Sequence, residues 1–461
     1  MRYLRFIYTI AMLAAAGEFA ACNKLVEATP VGRVPVEIAY VDSVAAEANV
    51  NGMYYSLQQN GNIYNGGFYA ILPLLSDEAA IGNSSTSFYL ELANNRLLTN
   101  NAIASGLWTN NYKTIYQANS VLENVGKVPM SRERMNRYLG EAHFVRGYCY
   151  FILSQYFGKV PLSVSTDFKT NGSLSRSDTA VINDFIMDEL TQAETLLPGG
   201  FAGYGNKKIR VCRETAQAML ARVCLFRKDW ANAETWATKA INSPAAGFAD
   251  TYEDVLKPNS PESLWEIWAA STSYAYRNSA ASMLMPSSPA STFKPAVVPG
   301  AGLLNAFEAG DKRQTAYLAF STSSQTSYVY KYRDLQNGMD QGKILRISET
   351  YLVRAEARAM QNNVTGSGSA AEDVDKIRAR AGLAGTPATT REAMVDAVMQ
   401  ERFVELMFEN HRWLDLKRTG RIRAVMALAK PTWKPETPIL LPVPAAEIGA
   451  NANLLPQNEG Y

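Results

Sequence analysis

The chain has 461 residues, 47% of them hydrophobic and 19% charged, and a formal net charge of +2. This is an ordinary globular composition, long enough for a large core, without the basic excess or like-charge blocks of a nucleic-acid-binding protein. Histidine is limited to His143 and His411, which excludes a multi-histidine metal site and leaves little for a catalytic triad.

Met1 to Arg5 carry two arginines, Phe6 to Ala16 is a short apolar run, and Phe19-Ala20-Ala21-Cys22 follows. A basic start, a short apolar core and small residues before a cleavage point form an export signal, too short to span a bilayer. Cysteine directly after Ala-Ala has the pattern of a lipobox. Residues 1–21 are therefore expected to be removed and Cys22 acylated; the alternative is an ordinary secretory peptide with an incidental cysteine. At roughly 0.8 kcal/mol per buried methylene, several acyl chains make an anchor that hardly dissociates. No later stretch approaches ~18 uninterrupted apolar residues, so this anchor is expected to be the only membrane attachment.

Residues 23–41 read as an extended leader, and Val44 to Leu57 as a helix. Residues 60–107, rich in Gly, Asn, Ser and Thr, read as loops and short elements. From Trp108 the apolar period becomes helical, with Trp108, Tyr112, Ile115, Tyr116, Asn119 and Leu122 on one face. Further helices are expected over Met135–Phe157, closed by Gly158-Lys159-Val160-Pro161, and over Thr179–Leu197, closed by Pro198-Gly199-Gly200. Residues 214–243 form the clearest supersecondary unit: Leu220 and Ala221 on one helix, a turn at Lys228-Asp229, then Trp230, Ala233, Ala237 and Ala240 on the next. Small residues at the crossing and an aromatic opening the second helix follow the tetratricopeptide pattern, and such a unit needs neighbours to bury its face. Cys149 and Cys224 lie in apolar helical patterns. Cys212 and Cys224 lie about 18 Å apart by helical rise, too far to bridge. All three are expected as small buried hydrophobes.

Residues 245–340 break the helical pattern. Ser263 to Trp268 reads as a strand, Ala269 to Gly302 as a long loop, and Tyr328 to Tyr332 as another strand. Helices are expected again over Ile344–Gln361, Ala370–Ala381 and, as one long element, Arg391–Arg418. The tail, with Pro431, Pro435, Pro438, Pro442 and Pro444, is expected to run extended and wrap the body.

Several segments resemble the SusD/RagB family in the right order. The run Glu401-Arg402-Phe403-Val404-Glu405-Leu406-Met407-Phe408-Glu409-Asn410-His411-Arg412-Trp413 is similar to its C-terminal signature, and Leu441-Pro442-Val443-Pro444 with Gln457-Asn458-Glu459-Gly460-Tyr461 to its closing motif. Leu345 to Ala357, Ile377 to Leu383, Tyr156 to Leu162, Asp311-Lys312-Arg313 and Lys331-Tyr332 fit as well, and the lipobox is typical of the family. The resemblance spans essentially the whole chain. It implies a mainly α fold: a tetratricopeptide-like helical-repeat scaffold with irregular loop-rich segments and a few short strands. It implies one domain over 22–461, with an N-terminal part to about 240 and a C-terminal part from about 241. It further implies a non-enzymatic, lipid-anchored outer-membrane protein facing the cell exterior. Its expected role is to capture oligosaccharides and deliver them to a SusC-like TonB-dependent transporter barrel. Oligopeptides are the alternative cargo; a lipoprotein glycoside hydrolase and a scaffold binding only protein rank lower. One departure is that Asn23-Lys24-Leu25-Val26-Glu27 carries a single acid, so surface exposure rests on the resemblance.

In the signature, Arg402, Glu405, Glu409 and Arg412 stand three or four residues apart and are expected to pair along the helix edge. An acid–base role for the carboxylates ranks below this, since each has a basic neighbour. No cofactor, metal or phosphate-binding loop is indicated. Ligand groups are expected from two irregular segments. Asp77 to Asn101 offers Asn83, Phe88, Tyr89, Asn94, Asn95 and Arg96; Ser271 to Phe293 offers Tyr274, Tyr276, Arg277 and Phe293. Tyr89, Tyr274 and Tyr276 are the expected stacking platforms, because an aromatic face covers the C–H face of a sugar while polar groups bond its rim. Trp108, Trp230, Trp265 and Trp413 are expected in the core. Trp268, facing away from Trp265 on a strand, is a candidate surface aromatic.

Overall fold

The computed structural model describes residues 36–59, 67–269 and 279–461. The export signal, Cys22, most of the leader, Tyr274, Tyr276 and Arg277 lie outside the described residues. The frame is a succession of helices: α1 (Ser43–Gln59), α2 (Ala102–Asn124), α3 (Arg132–Phe157), α4 (Thr179–Leu196), α5 (Arg213–Phe226), α6 (Trp230–Ile241), α7 (Ile347–Met360), α8 (Ala370–Arg380), α9 (Arg391–Glu405) and α10 (Arg412–Arg418). From α1 to α8 each packs on the next, and α7 also receives α9. This nearest-neighbour stacking is the tetratricopeptide-like architecture expected from the sequence.

Local chemistry sets the helix starts. The Asn101 side chain accepts from the N–H groups of Ile103 and Ala104, at 3.0 and 3.1 Å, so α2 begins six residues before the Trp108 expected to lead it. Ser131, Asp229 and Thr390 cap α3, α6 and α9 in the same way. Gly158, at φ +73°, ends α3. In the repeat unit, Ala221, Cys224 and Leu225 of α5 meet Ala233 and Ala237 of α6, and Val353 and Ala357 of α7 close the cluster. That third helix is the neighbour the pattern required. Cys149, Cys212 and Cys224 are buried free thiols.

The strands form two-stranded antiparallel ribbons. β1 (Ala79–Ile81) pairs with β5 (Val297–Pro299), β2 (Val160–Pro161) with β3 (Arg176–Ser177), β4 (Ser263–Ile267) with β8 (Gly342–Arg346), and β6 (Leu318–Ser321) with β7 (Thr326–Val329). Three expectations are corrected. Ile344 to Arg346 is strand, because pairing with β4 captures it before α7 begins. The strand expected from Tyr328 starts at Thr326 and ends at Val329, where the hairpin with β6 stops. The single helix over Arg391–Arg418 is broken at Leu406–His411, where Phe408 and Asn410 take φ of +54° and +64°.

The proline-rich tail wraps as expected but is not wholly extended, since Ala445–Ala450 forms a short helix. Leu441 N–H donates to the Tyr156 carbonyl at 2.8 Å, Ala445 N–H to that of Thr99 at 2.9 Å, and the Asn458 amide to that of Phe157 at 2.9 Å. No helix among the described residues is long and apolar enough to cross a membrane.

Candidate functional site

The signature residues build an interior, not a site. Glu405 is held by Arg346 at 2.7 Å and Arg380 at 2.8 Å, and Glu409 by Arg346 at 2.9 Å and by Lys331. Arg313 bonds Asp311 at 2.8 Å and Glu401 at 2.6 Å. Arg402 pairs with Asp415 and Arg412 with Asp77, each at 2.8 Å. The expected pairing of Arg402, Glu405, Glu409 and Arg412 along one helix edge is therefore wrong: each turns to a partner on another segment. The break makes this possible, because it presents the Glu405 and Met407 carbonyls to Arg346 and Lys331, and the Phe408 N–H to Glu78 at 2.6 Å. Burial would raise the Glu405 pKa, but Arg380, Arg346 and Arg313 outweigh it and hold the carboxyl well below the usual range. A carboxylate so enclosed and so paired is not an available acid or base. The enclosed space beside His411 and Asn410 measures about 20 Å³, room for a water-sized guest at most.

The irregular segments behave differently. β1 and β5 pair Ala79 with Pro299, Ala80 with Val298 and Ile81 with Val297. The ribbon continues as Gly82 N–H donates to the Ala296 carbonyl at 3.0 Å and Asn83 N–H to that of Pro295 at 2.8 Å. Glycine is required at position 82, where a Cβ would stand 2.2 Å from the Pro295 oxygen. The first of the two segments expected to supply ligand groups is thereby stapled to the residues that directly follow the second. Beyond the ribbon, Asn83 is exposed, and the short helix Ser87–Ala93 presents Phe88 and Tyr89, half-buried and edge to face at 4.8 Å. The Asn101 amide holds this helix through the Phe88 carbonyl at 3.2 Å and the Glu91 carboxylate at 2.7 Å. Burial raises the Tyr89 phenol pKa, so the ring stays neutral. Arg96, past the C-terminal end of this helix, is exposed, and Phe293 is 70% exposed. Asn95, by contrast, is a buried structural residue whose amide donates to the Leu75 carbonyl at 2.9 Å.

β5 also packs on β7, which joins the β6–β7 hairpin to the same loop face. Between this hairpin and residues 285–289 lies an open cleft of about 860 Å³, lined by Phe320, Tyr328, Arg333, Asp334 and Gln336 among others. Phe320 is 57% exposed. Sequence reasoning missed this contribution; the available signal was the pair of short runs flanking Ser321-Thr322-Ser323-Ser324-Gln325, a hairpin pattern. The cleft's one carboxylate among the described lining residues, Asp334, accepts backbone N–H groups of Asn337 and Met339 at 2.9 and 3.0 Å. Two carboxylates flanking a bond, as glycoside hydrolysis requires, are not assembled there. Among the described residues no cluster of three or more His, Cys, Asp or Glu is placed to hold a metal.

Trp268, 42% exposed just past β4, is set elsewhere. It lines a cleft of about 490 Å³ with Asn51, Tyr54, Tyr55, Lys207 and Arg210, and the Gln58 amide donates to its carbonyl. This cleft shares no described lining residue with that beside Phe320. Trp108, Trp265 and Trp413 are buried, as expected of core residues, whereas Trp230 is only half-buried and packs against the edge of the α5–α6 cluster.

Two family models match, one described as "SusD family" over residues 308–461 and one as "Starch-binding associating with outer membrane" over residues 37–225. A SusD-like protein of Formosa agariphila is 24% identical, the match covering 100% of both chains. Among solved structures, a SusD superfamily protein of Parabacteroides distasonis superposes with a TM-score of 0.80 at 22% identity, covering 91% of this chain and 99% of that one. A laminarin-binding SusD-like protein superposes with a TM-score of 0.79 at 23% identity, covering 91% and 100%.

Proposed function

Because the chain belongs to the SusD/RagB family, we propose that it is a lipid-anchored outer-membrane protein that captures oligosaccharides on its loop face. It passes them uncleaved to a partner TonB-dependent transporter barrel. The observation that supports this reading is the open cleft beside the exposed Phe320, with Tyr328, Arg333 and Gln336 in its lining. Aromatic rings with amide and guanidinium groups around them suit the apolar face and hydroxyl rim of a sugar. The laminarin-binding protein of like fold supports a glycan as cargo, and the outer-membrane description of the second family model supports the location. Cys22 supplies the anchor.

Calorimetric titration of the full mature chain in detergent against oligosaccharide and oligopeptide panels tests the reading. Saturable glycan binding is expected, weakened about tenfold by Phe320→Ala or Tyr89→Ala (roughly 1.4 kcal/mol), with no new reducing ends. Peptide binding instead would assign the other cargo, and glycan cleavage would sink the non-enzymatic reading.

A further inference from the structure

The aromatic face of α2 is not absorbed by the loop face. Trp108, Tyr112 and Tyr116 recur every fourth residue, roughly 6 Å apart along the axis. Trp108 is buried and set edge-on to Phe157 at 5.1 Å, Tyr112 lies 5.1 Å from Trp108 with its hydroxyl donating to the Pro161 carbonyl at 2.7 Å, and Tyr116 is 50% exposed. Opposite them Phe168, on the short helix Phe168–Asn171, is 77% exposed. With Glu447 and Asn451 from the tail they enclose a groove of about 360 Å³.

The walls are tied together. Asn451 and Asn453 donate side-chain amides to the Leu174 and Ser173 carbonyls, each at 2.8 Å. The Asn171 amide is oriented by the Ser165 carbonyl at 2.8 Å, and Thr166 by Glu123 through its N–H at 2.8 Å and its hydroxyl at 2.6 Å. The polar rim is therefore pre-set, and Glu447 is the one formal charge in the lining. The groove lies at the small end of the ~300–1,000 Å³ range of ligand sites. It shares no lining residue with the cleft beside Phe320.

We propose that this groove is a second saccharide site, taking a short uncharged oligosaccharide with Tyr116 and Phe168 as stacking platforms and Asn171, Asn451 and Glu447 at the hydroxyl rim. It takes its ligand class from the function proposed above. The test titrates neutral gluco-, manno- and xylo-oligosaccharides by calorimetry into the full mature chain, into Phe320→Ala with Tyr89→Ala, and into Tyr116→Ala with Phe168→Ala. The altered rings are half-buried or exposed, and unfolding temperatures serve as the folding control. The groove pair is expected to halve the molar stoichiometry while the loop-face pair removes the other event. Wild-type stoichiometry and affinity in the groove pair overturn the second site and leave the loop-face reading intact. Loss of all binding in the groove pair, with none in the loop-face pair, supports the groove and sinks the loop face. No saccharide binding by wild type sinks both. Groove variants that bind sugar normally but lose co-purification with the transporter overturn the saccharide assignment in favour of protein docking.

Discussion

Glu78 shows how much a single buried group can be read from its surroundings. Burial pushes its carboxyl pKa up to about 8, against the lowering effect of the Phe408 N–H bond. The folded state thus favours the protonated acid, while the unfolded chain ionises near 4.5. Its stabilising contribution is complete below the unfolded value and is lost as pH rises through about 8. Glu78→Gln keeps an oxygen acceptor for Phe408 and cannot ionise. It is expected to match wild type in urea at pH ~4.5 and to exceed it at pH ~9 by about 1–3 kcal/mol, at ~1.4 kcal/mol per pKa unit. Midpoints that stay parallel across this range would refute the assignment. Residue identity was legible in the sequence here, but partnership was not. Glu405 and Arg402 share a helix face by spacing, yet Arg380 and Asp415, brought in by other segments, are their partners. The helix edge is itself buried, so its charges are paired by whichever segments fold against it rather than by spacing along the helix.

At the scale of elements, the ribbon and the helix break are decided by tertiary contact. The β1–β5 ribbon depends on close approach at Gly82 and at Gly300, where a Cβ would stand 2.4 Å from the Asp77 oxygen. Gly82→Ala is expected to lower stability by about 1–3 kcal/mol and to weaken glycan binding at least tenfold while far-ultraviolet circular dichroism is retained. Gly52→Ala, in α1 with open space around its Cβ position, is the control and should gain about 0.5–1 kcal/mol. Equal effects from the two would show that the ribbon does not set the site. The long helices were legible because their apolar period is sustained; the shared strand at Gly342–Arg346 was not, since its apolar run fits either state. The break at Leu406–His411 was hidden for the same reason. Phe408 and Asn410 continue a helical pattern, and only capture of the opened backbone by Lys331, Arg346 and Glu78 holds them at positive φ.

The whole molecule stacks helices in chain order and then closes on a charged interior, so its acid response is global. Burial lowers the His411 pKa to about 4, against the pull of Glu349. Burial would raise Glu349, but chiefly Arg222 and His411 bring it to about 2. Both folded values lie below the unfolded ones, so both contributions are present above them and lost as pH falls: His411 between 6.5 and about 4, Glu349 between 4.5 and about 2. In the Glu78→Gln background, which removes the opposing trend, the urea midpoint is expected to fall steadily below pH ~6.5. A flat midpoint down to pH ~4 would contradict it. The architecture was legible from the repeat unit and the order of motifs. The β1–β5 ribbon was not legible, because hydrogen bonding between residues more than 200 positions apart leaves no local trace.

The clasp of the tail has a consequence in time. Leu441, Ala445 and Asn458 fasten onto Tyr156, Thr99 and Phe157, residues synthesised some 300 positions earlier. Contacts of such sequence separation form late and slowly. A nascent chain therefore cannot lock before the tail is made, and a prematurely terminated chain leaves the α2–α3 end unfastened and open to proteolysis.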